Sequence, residues 1–276
     1  MRINKYPFKS YLKKEKSYYL CLMQKSHFST FIFSILILLF SCKSQETQYQ
    51  TKSTQYILKK DSVKINVSST LSFIEPFRDS LNKNMNLPLV YATPALTKEL
   101  PEGNLGNYCA DACLRQAIIK CNLLNLELPD FCFLNHGGLR ASLPQGIITI
   151  GNVFELMPFE NELVYLNVSS ATVDSILNWI SIKGGAPIAG IKFQINNKKA
   201  EQVTIQNQPK KNELRFKIIT SDYLANGGDG LYFLKQEKAI SLGIKVRDAF
   251  IQDLQNIGNR KDSLSVQKDG RLIKIQ

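Results

Sequence analysis

The stretch Asn135-His136-Gly137-Gly138-Leu139-Arg140 directly follows a short apolar segment, 130–134, which predicts a strand. Paired glycines at such a turn permit positive φ angles and let a ligand approach the backbone closely. Backbone amides can then face an anion, and the planar guanidinium of Arg140 matches phosphate oxygens in pairs. We call residues 135–140 the arginine turn, and it predicts anion binding. The alternative interpretation is a hairpin with an exposed arginine.

A second glycine-rich stretch, Leu224-Ala225-Asn226-Gly227-Gly228-Asp229-Gly230, follows another predicted strand, 214–220. Tyr223 precedes it, and we call residues 223–230 the aspartate loop. Met157-Pro158-Phe159 lies between the two stretches, so an aromatic ring accompanies each glycine-rich turn along the chain. Such rings can stack on a ligand. Packing in the core is the alternative interpretation, because it is the commoner role of an aromatic side chain.

The hydrophobic pattern mixes helices and strands without strict alternation, which predicts an α+β fold of mixed α/β layers. A single domain is expected over residues 56–276. Predicted helices cover 69–84 with a break or kink at Pro76, 104–121, 171–182 ending at Gly184-Gly185, and 246–257 capped by Gly258. Predicted strands cover 87–93, 130–134, 162–168, 188–195 and 214–220, with a strand and a turn in 146–153.

The N-terminal residues have the layout of an export signal. Residues 1–26 carry seven basic side chains and one acidic one, and a short apolar run over 28–40 follows. Leu39-Phe40-Ser41-Cys42 resembles a bacterial lipobox, so residues 1–41 are expected to be a signal peptide and Cys42 to be lipidated. The polar residues 42–55 then predict a flexible tether to the cell envelope. The alternatives are a plain anchor helix, and translation from Met23.

The net charge of +12 belongs in large part to this export segment. Residues 42–276 hold 28 basic and 22 acidic side chains, a net charge of +6. The basic residues are scattered, and 141–182 contains none, whereas nucleic-acid binding needs a dense basic face. The sequence therefore indicates no nucleic-acid partner. Its modest positive charge favours the attraction of a small anionic substrate.

Four cysteines follow the export segment, namely Cys109, Cys113, Cys121 and Cys132. Cys109 and Cys113 are spaced to share a helical face, but no second Cys or His pair has the spacing that a zinc site needs. The apolar neighbours of these cysteines predict buried free thiols. A disulfide is the alternative in an oxidising compartment.

The arginine turn, Met157-Pro158-Phe159 and the aspartate loop, in this order, resemble the substrate-binding C-terminal domain of the 5'-nucleotidase family. The resemblance covers about residues 66–260. It implies that Arg140 binds substrate phosphate, that the rings of Phe159 and Tyr223 sandwich the base, and that Asp229 hydrogen-bonds the nucleoside. The full set of implied substrate-binding residues is Asn135, Gly137, Arg140, Phe159, Gly190, Tyr223 and Asp229, with Gly190 lining the base pocket.

One position departs from the family pattern. The family usually has a second phosphate-binding arginine about five residues before its helix-start asparagine, here Asn104. This chain has Glu99 at that position, with Lys98 as the nearest basic residue.

Family members hydrolyse phosphate esters with two metals, held by several His, Asp and Asn residues. After the export segment this chain has one histidine, His136, which is interpreted as a turn residue.

We therefore expect no catalytic residues and no cofactor in this chain, and divalent metals in a separate metallophosphoesterase protein. The leading hypothesis is the nucleotide-binding half of a split 5'-nucleotidase, exported as a lipoprotein and acting in nucleotide catabolism. One alternative is a stand-alone nucleoside- or nucleotide-binding lipoprotein without catalysis. Another is a structural envelope protein that shares the fold and binds no ligand.

Overall fold

The computed structural model describes residues 68–212 and 215–275, within a unit that runs over Asn66–Gln276. The predicted signal peptide (1–41), the lipidation residue Cys42, the tether (42–55) and the first residues of the predicted domain (56–67) lie outside the described residues. Among the helices that are described, none has both the length and the apolar character needed to cross a membrane.

The predicted helices are present, and one continues where a break was predicted. The first helix runs through Pro76, because it is exposed along most of its length and water can satisfy the carbonyl that loses its N–H partner at the proline. The helices are α1 (Ser68–Met85), α2 (Asn104–Leu123), α3 (Ile150–Leu156), α4 (Ser170–Lys183), α5 (Asp222–Ala225) and α6 (Val246–Asn259).

The described strands form a mixed central sheet and two smaller sheets. The strands are β1 (Pro88–Ala92), β2 (Phe131–Phe133), β3 (Gly146–Thr149), β4 (Glu162–Ser169), β5 (Ile188–Ala189), β6 (Ile191–Asn196), β7 (Lys199–Ile205), β8 (Gln208–Pro209), β9 (Arg215–Ser221), β10 (Ala239–Lys245), β11 (Ser263–Leu264) and β12 (Leu272–Ile275). Their orders are β10-β4-β9-β2-β5, β11-β1-β3 and β12-β6-β7-β8. The central sheet pairs β4 with β9 antiparallel and β2 with β9 parallel. The mixed α+β prediction is confirmed.

The central sheet is covered on both faces, because successive side chains of a strand point to opposite sides. In β2, Phe131 and Phe133 pack with α4, whereas Cys132 packs in the core cluster that holds α2 and α6. All three side chains are at most 1% exposed. Burial of a side chain the size of phenylalanine contributes about 1.5–3 kcal/mol, so β2 is a well-anchored support for the arginine turn that follows it.

The segment predicted as a strand and a turn over 146–153 contains β3 and then α3. The side-chain oxygen of Thr149 accepts from the backbone N–H of Asn152, and the Asn152 side chain accepts from the backbone N–H of Thr149. This reciprocal pair is a capping box. It starts a helix of seven residues where a turn was predicted, and Met157-Pro158-Phe159 follows directly after this helix.

Three predicted glycine roles have different outcomes. Gly184 ends α4 with a left-handed φ of 79°, as predicted. Gly258 lies inside α6, which ends at Arg260, so the predicted cap is wrong. A Cβ added at Gly258 would lie 2.1 Å from the Leu89 carbonyl oxygen, so this glycine lets α6 pack closely against β1. Gly190, with φ of 78°, divides the predicted strand 188–195 into β5 and β6.

The four cysteines that follow the export segment are buried free thiols, as predicted. Cys109, Cys113 and Cys121 lie on α2, and all four side chains are inaccessible to solvent. Burial raises the pKa of the Cys109 and Cys132 thiols well above the ordinary value. These thiols therefore remain protonated and act as small apolar side chains in the core.

A charged cluster fastens the C-terminal segment. Arg271 donates from Nη1 to Asp111 Oδ1 at 2.7 Å and to the Ile188 carbonyl at 2.9 Å, and from Nη2 to Asp269 Oδ2 at 2.9 Å. The carboxylate of Glu102 accepts from the backbone amides of Asp269 at 2.9 Å and Gly270 at 3.1 Å. We call this cluster the C-terminal clamp. It orients β12 for its parallel pairing with β6.

Candidate functional site

The arginine turn begins where β2 ends. Residues His136–Gly138 form one 3₁₀ turn, and the Gly138 amide donates to the Asn135 carbonyl at 3.2 Å. Neither glycine of this turn uses the positive φ that glycine permits. The physical requirement at Gly138 is space, since an added Cβ would lie 2.7 Å from the Asn135 side-chain oxygen.

Arg140 is an exposed cation on a fixed backbone. Its amide donates to the Leu156 carbonyl at 2.8 Å, which ties the turn to the end of α3. Its Nη1 makes one long hydrogen bond, 3.4 Å, to the Gly137 carbonyl. Within the described part of the chain, no carboxylate forms an ion pair with Arg140. The guanidinium therefore keeps most of its donors available for an anion.

The aspartate loop follows β9. Ser221 caps the short helix α5, and its side chain accepts from the Leu224 amide. Tyr223 then lies across Gly228, where an added Cβ would lie only 2.5 Å from the tyrosine ring. Asp229 adopts a left-handed backbone with φ of 53°, which is uncommon for a residue with a side chain. The glycine and the left-handed aspartate together bring the ring and the carboxylate to the same place.

Asp229 connects the two glycine-rich motifs. Its Oδ2 accepts from Asn135 Nδ2 at 2.7 Å, across 94 residues of sequence, and its Oδ1 accepts from the Tyr223 hydroxyl at 2.8 Å. The hydrogen bond to Asp229 raises the pKa of the Tyr223 hydroxyl. The backbone carbonyl of Asp229 accepts a hydrogen bond from Trp179 Nε1 on α4 at 3.0 Å. Asn135 and Tyr223 thus fix the carboxylate of Asp229, and Trp179 fixes its backbone.

Phe159 lies on the segment that connects α3 to β4, and we call residues 157–161 the aromatic loop. Phe159 and Tyr223 are each 43% exposed, so neither ring is packed in the core. Both line a cavity of about 640 Å³, a size that suits a small organic ligand. Six of the seven predicted binding residues line this cavity: Asn135, Gly137, Arg140, Phe159, Tyr223 and Asp229.

Gly190 is the exception, because it does not line this cavity. It lies between β5 and β6, where an added Cβ would lie 2.5 Å from the Asp130 carbonyl oxygen. It borders a different cavity of about 240 Å³, together with Asp111 and Arg271 of the C-terminal clamp. The close approach of two backbone segments therefore explains the glycine, and the structure gives no reason to place Gly190 against a base.

The position that departs from the family pattern is occupied by an ion pair. The Glu99 carboxylate pairs with Lys268 and accepts from the Thr97 hydroxyl at 3.0 Å. Lys98 Nζ donates to the Leu139 carbonyl at 2.6 Å, directly beside the backbone of Arg140. Burial, followed by the charge of Lys98, lowers the pKa of His136. His136 is therefore a neutral, half-buried residue of the turn at pH 7.

Sequence reasoning missed several contributors to the cavity. Glu160 and Asn161 of the aromatic loop line it, as does Val246 at the start of α6. Asn161 Nδ2 donates to Asp222 Oδ1 at 3.0 Å, which joins the aromatic loop to α5. Nearness to Phe159 in sequence was the only available signal for Glu160 and Asn161. No sequence signal marked Trp179, which binds the Asp229 carbonyl, or Val246, which lines the cavity, because both roles arise from the packing of distant segments.

Among the described residues, no group of three or more His, Cys, Asp or Glu side chains is placed to hold a metal ion. The cavity wall offers the exposed cation of Arg140, the exposed rings of Phe159 and Tyr223, and the fixed carboxylate of Asp229. The pairing of a guanidinium with an oxyanion and the stacking of rings on a planar group are both well suited to a ligand that has those two parts.

Comparison with known proteins agrees with this arrangement. The sequence model of the family described as "5'-nucleotidase, C-terminal domain" matches residues 86–236. A 5'-nucleotidase of Vibrio parahaemolyticus is 29% identical over 170 residues, which are 58% of this chain and 29% of that protein. A trifunctional nucleotide phosphoesterase of Bacillus subtilis is 26% identical over 224 residues, 73% of this chain and 15% of that protein. The chain thus spans less than a third of the length of these two curated relatives.

The fold is also found among solved structures. The crystal structure of a 5'-nucleotidase precursor from Thermus thermophilus superposes with a TM-score of 0.63 at 23% identity, covering 75% of this chain and 42% of that chain. At this level of identity the likeness establishes the fold. The family assignment comes from the sequence match, which covers more than half of the 276 residues. This chain belongs to the 5'-nucleotidase C-terminal domain family.

Proposed function

We propose that the cavity binds a nucleotide and that this chain is the substrate-binding half of a split 5'-nucleotidase acting in nucleotide catabolism. The observation that supports this most strongly is the composition of the cavity wall. One wall carries the exposed guanidinium of Arg140, and the exposed rings of Phe159 and Tyr223 line the same cavity. A nucleotide combines the two matching groups, an oxyanion and a flat aromatic base.

Each contact has its own role. Arg140 clamps the phosphate, and a hydrogen bond of this charged type contributes about 1.5–3 kcal/mol. Phe159 and Tyr223 stack on the base, for about 1–3 kcal/mol per ring. Asp229 accepts a hydrogen bond from the nucleoside, and Asn135 keeps that carboxylate in place. Gly137 lines the cavity beside Arg140 and leaves room for the phosphate.

In this proposal a separately encoded metallophosphoesterase supplies the divalent metals and the hydrolytic step. Two metals there would activate the attacking water and stabilise the leaving oxygen. Support comes from the relatives, which are named as 5'-nucleotidase and nucleotide phosphoesterase and are more than three times as long as the segment they share with this chain. This chain's own contribution is to bind the nucleotide and to orient its phosphate toward the partner.

We also propose that the chain acts at the cell envelope, anchored by a lipid on Cys42. The support is the sequence layout alone: a basic segment, an apolar run over 28–40 and the Leu39-Phe40-Ser41-Cys42 stretch. Expression of the full chain with Cys42→Ala tests the proposal. The variant is expected to move from the membrane fraction to the soluble fraction. Retention of the variant at the membrane would indicate an uncleaved anchor helix instead.

A stand-alone nucleoside-binding lipoprotein is the second candidate. It is favoured by the state of residues 98 and 99, where the family usually has a second phosphate-binding arginine. Glu99 forms an ion pair with Lys268, and Lys98 donates a hydrogen bond to the Leu139 carbonyl, so neither residue replaces that arginine. Arg140 is then the only cation among the residues that line the cavity. A nucleoside needs no phosphate clamp, so this wall is also compatible with a ligand that lacks phosphate.

Isothermal titration of the purified protein with AMP and adenosine distinguishes the candidates. If the ligand is a nucleotide, AMP binds more tightly than adenosine, and Arg140→Ala removes that difference. Phe159→Ala is expected to weaken both ligands, because the ring contacts their shared base. Equal affinities for AMP and adenosine in the wild type would favour the nucleoside-binding protein. Absence of binding for both ligands at millimolar concentration would refute the site.

The split-enzyme proposal has a separate test. The purified protein is mixed with a candidate metallophosphoesterase from the same organism, and phosphate release from AMP is measured with each protein alone and with the mixture. The mixture is expected to hydrolyse AMP faster than the two separate activities added together, and Arg140→Ala is expected to reduce the gain. A mixture no faster than the metallophosphoesterase alone would refute the proposal.

A further inference from the structure

The aromatic loop has no regular secondary structure of its own. α3 ends at Leu156 and β4 begins at Glu162, so residues 157–161 connect a helix to a strand. An irregular segment with an exposed ring at its centre depends on contacts from elsewhere to keep one position. The question is which element supplies those contacts.

The first turn of α6 supplies them at three residues of the loop, Pro158, Glu160 and Asn161. The Val246 amide donates to the Asn161 carbonyl at 2.8 Å. Arg247 forms an ion pair with Glu160 and donates from Nη1 to the Pro158 carbonyl at 3.5 Å. Arg247 therefore contacts the residues immediately before and after Phe159.

Arg247 is itself held firmly. Its side chain is 6% exposed, and its guanidinium carbon lies 4.0 Å from the centre of the Phe154 ring on α3. Such a cation–ring contact is strong when it is shielded from water. Among the described residues, the Nε atom of Arg247 has no hydrogen-bond partner, so the guanidinium directs its bonding to the aromatic loop through its terminal nitrogens.

Lys245 reinforces the same attachment from the solvent side. It also pairs with Glu160, and its side chain is 42% exposed. Hydrogen bonds from Lys245 and then from Arg247 lower the pKa of Glu160 to about 2. Glu160 is therefore ionised throughout the neutral range, and the attachment of the loop to α6 persists there.

We propose that Arg247 is a positioning residue that sets the place of the Phe159 ring and so determines affinity for the base without acting on the phosphate. The inference rests on the proposed nucleotide function. Its physical basis is that the two ends of the cavity are supported separately. The backbone at Arg140 is held by the Leu156 carbonyl and by Lys98 through Leu139, whereas the loop around Phe159 is held by α6.

Three ligands test the base end and the phosphate end of the cavity separately. Adenosine has the base without the phosphate, ribose 5-phosphate has the phosphate without the base, and AMP has both. Isothermal titration of the purified protein is carried out with each ligand. Arg247→Met keeps an apolar stem over Phe154 and removes the charge. It is expected to weaken adenosine and AMP by about tenfold each, and to leave ribose 5-phosphate within about twofold of the wild type.

Arg115→Met is the control. Arg115 likewise forms an ion pair, with Asp253 of α6 at 2.8 Å, but its side chain is 51% exposed and it does not line the cavity or contact the aromatic loop. All three ligands are expected to bind this variant as they bind the wild type. Lys245→Met is the milder variant, since the lysine is partly exposed. It is expected to give the same ligand pattern with an effect of about twofold, even if Arg247→Met does not fold.

Coupling to the ring is tested by a double-mutant cycle. If Arg247 acts through Phe159, Arg247→Met has no further effect on adenosine affinity in a Phe159→Ala background. An equal loss in that background would overturn the inference, as would an equal weakening of ribose 5-phosphate. Failure of the wild type to bind any of the three ligands is a different result, because it refutes the nucleotide function itself.

Discussion

Two charged regions of this protein use arginine in opposite ways. In the C-terminal clamp, the side chain of Arg271 is 11% exposed and contacts two carboxylates and a backbone carbonyl. At the cavity, Arg140 is exposed and has a single long hydrogen bond to the Gly137 carbonyl. One guanidinium has its partners within the chain, and the other has its donors available.

The difference separates structural charge from recognition charge. Bonds to Asp269 and Asp111 raise the pKa of Arg271 against the opposing effect of burial, so its charge is part of the folded structure. Asp229 at the cavity lies between these extremes, because both of its oxygens already accept hydrogen bonds from Asn135 and Tyr223. A carboxylate fixed by hydrogen bonds and a guanidinium without an ion-pair partner among the described residues line the same cavity, as expected of a site that receives a ligand.

The largest expected effect is on stability, from Arg271→Met. The carboxylates of Asp111 and Asp269 are 29% and 44% exposed, so the pairs are only partly buried. A hydrogen bond to a charged group contributes about 1.5–3 kcal/mol, and loss of the several made by Arg271 is expected to cost about 3 kcal/mol. Urea denaturation is expected to show this loss in the free energy of unfolding, while AMP affinity of the folded variant stays as in the wild type. Arg260→Met is the control, because the Arg260–Asp262 pair is exposed and contributes at most about 1 kcal/mol. Similar losses in both variants would contradict the assignment of the clamp.

Arg140→Met is expected to give the reverse pattern. Loss of one charged hydrogen bond weakens AMP binding by about 1.5–3 kcal/mol, which is roughly 10- to 150-fold. Adenosine affinity is expected to remain unchanged, and the free energy of unfolding to stay within about 0.5 kcal/mol, as for other surface substitutions. Titration and urea denaturation of the same preparation measure both. A stability loss as large as that of Arg271→Met would remove the distinction between the two arginines.

Gly228→Ala tests the base end of the cavity with a smaller effect. The added methyl group would meet the Tyr223 ring at 2.5 Å, so the ring must swing away from the position it holds beside Asp229. Loss of part of one stacking contact, about 1 kcal/mol, predicts that adenosine and AMP weaken equally, by about fivefold. Gly106→Ala on α2 is the control, because Gly106 does not line the cavity and its added Cβ would meet no atom closer than 3.6 Å. An effect confined to AMP would place Tyr223 at the phosphate instead.

The smallest expected effect concerns pH. Because the pKa of His136 is lowered in the folded protein, the unfolded chain binds more protons near pH 6. The stability contributed by this residue is therefore complete above about pH 6.5 and declines as the pH falls through the lower folded value. Urea denaturation at a series of pH values from 8 to 5 is expected to show a smaller decline for His136→Asn than for the wild type. Identical pH profiles would indicate that His136 is freely accessible to solvent.

Local signals in the sequence predicted much of the fold and most of the cavity. Hydrophobic periodicity located the helices, and Gly184 marked the end of α4. The arginine turn, Phe159 and the aspartate loop were each visible as short motifs, and the structure brings them to one cavity. Their identification depended on the family resemblance, because a glycine pair beside an arginine is a weak signal by itself.

The remaining features depend on contacts between distant segments. Gly258 was predicted to cap a helix, and Gly190 was predicted to line the base pocket. In the structure, each glycine lies where another backbone segment passes too close for a side chain. The helix α3 depends on the reciprocal bonds of Thr149 and Asn152, which a short apolar run conceals. Arg247 carries no motif, and its contacts with the aromatic loop arise only when α6 packs beside α3. The glycines of the arginine turn permit positive φ, but the turn is a 3₁₀ turn that does not use it.

Trp179 gives the protein a built-in optical reporter. It is the only tryptophan among the 276 residues, and its indole N–H donates to the backbone carbonyl of Asp229. Indole emission responds to changes in hydrogen bonding and in the polarity around the ring. A ligand that hydrogen-bonds to the Asp229 carboxylate contacts the same residue whose backbone carbonyl accepts the indole N–H. Occupancy of the cavity should therefore be readable from intrinsic fluorescence in solution, without a label and without a catalytic partner.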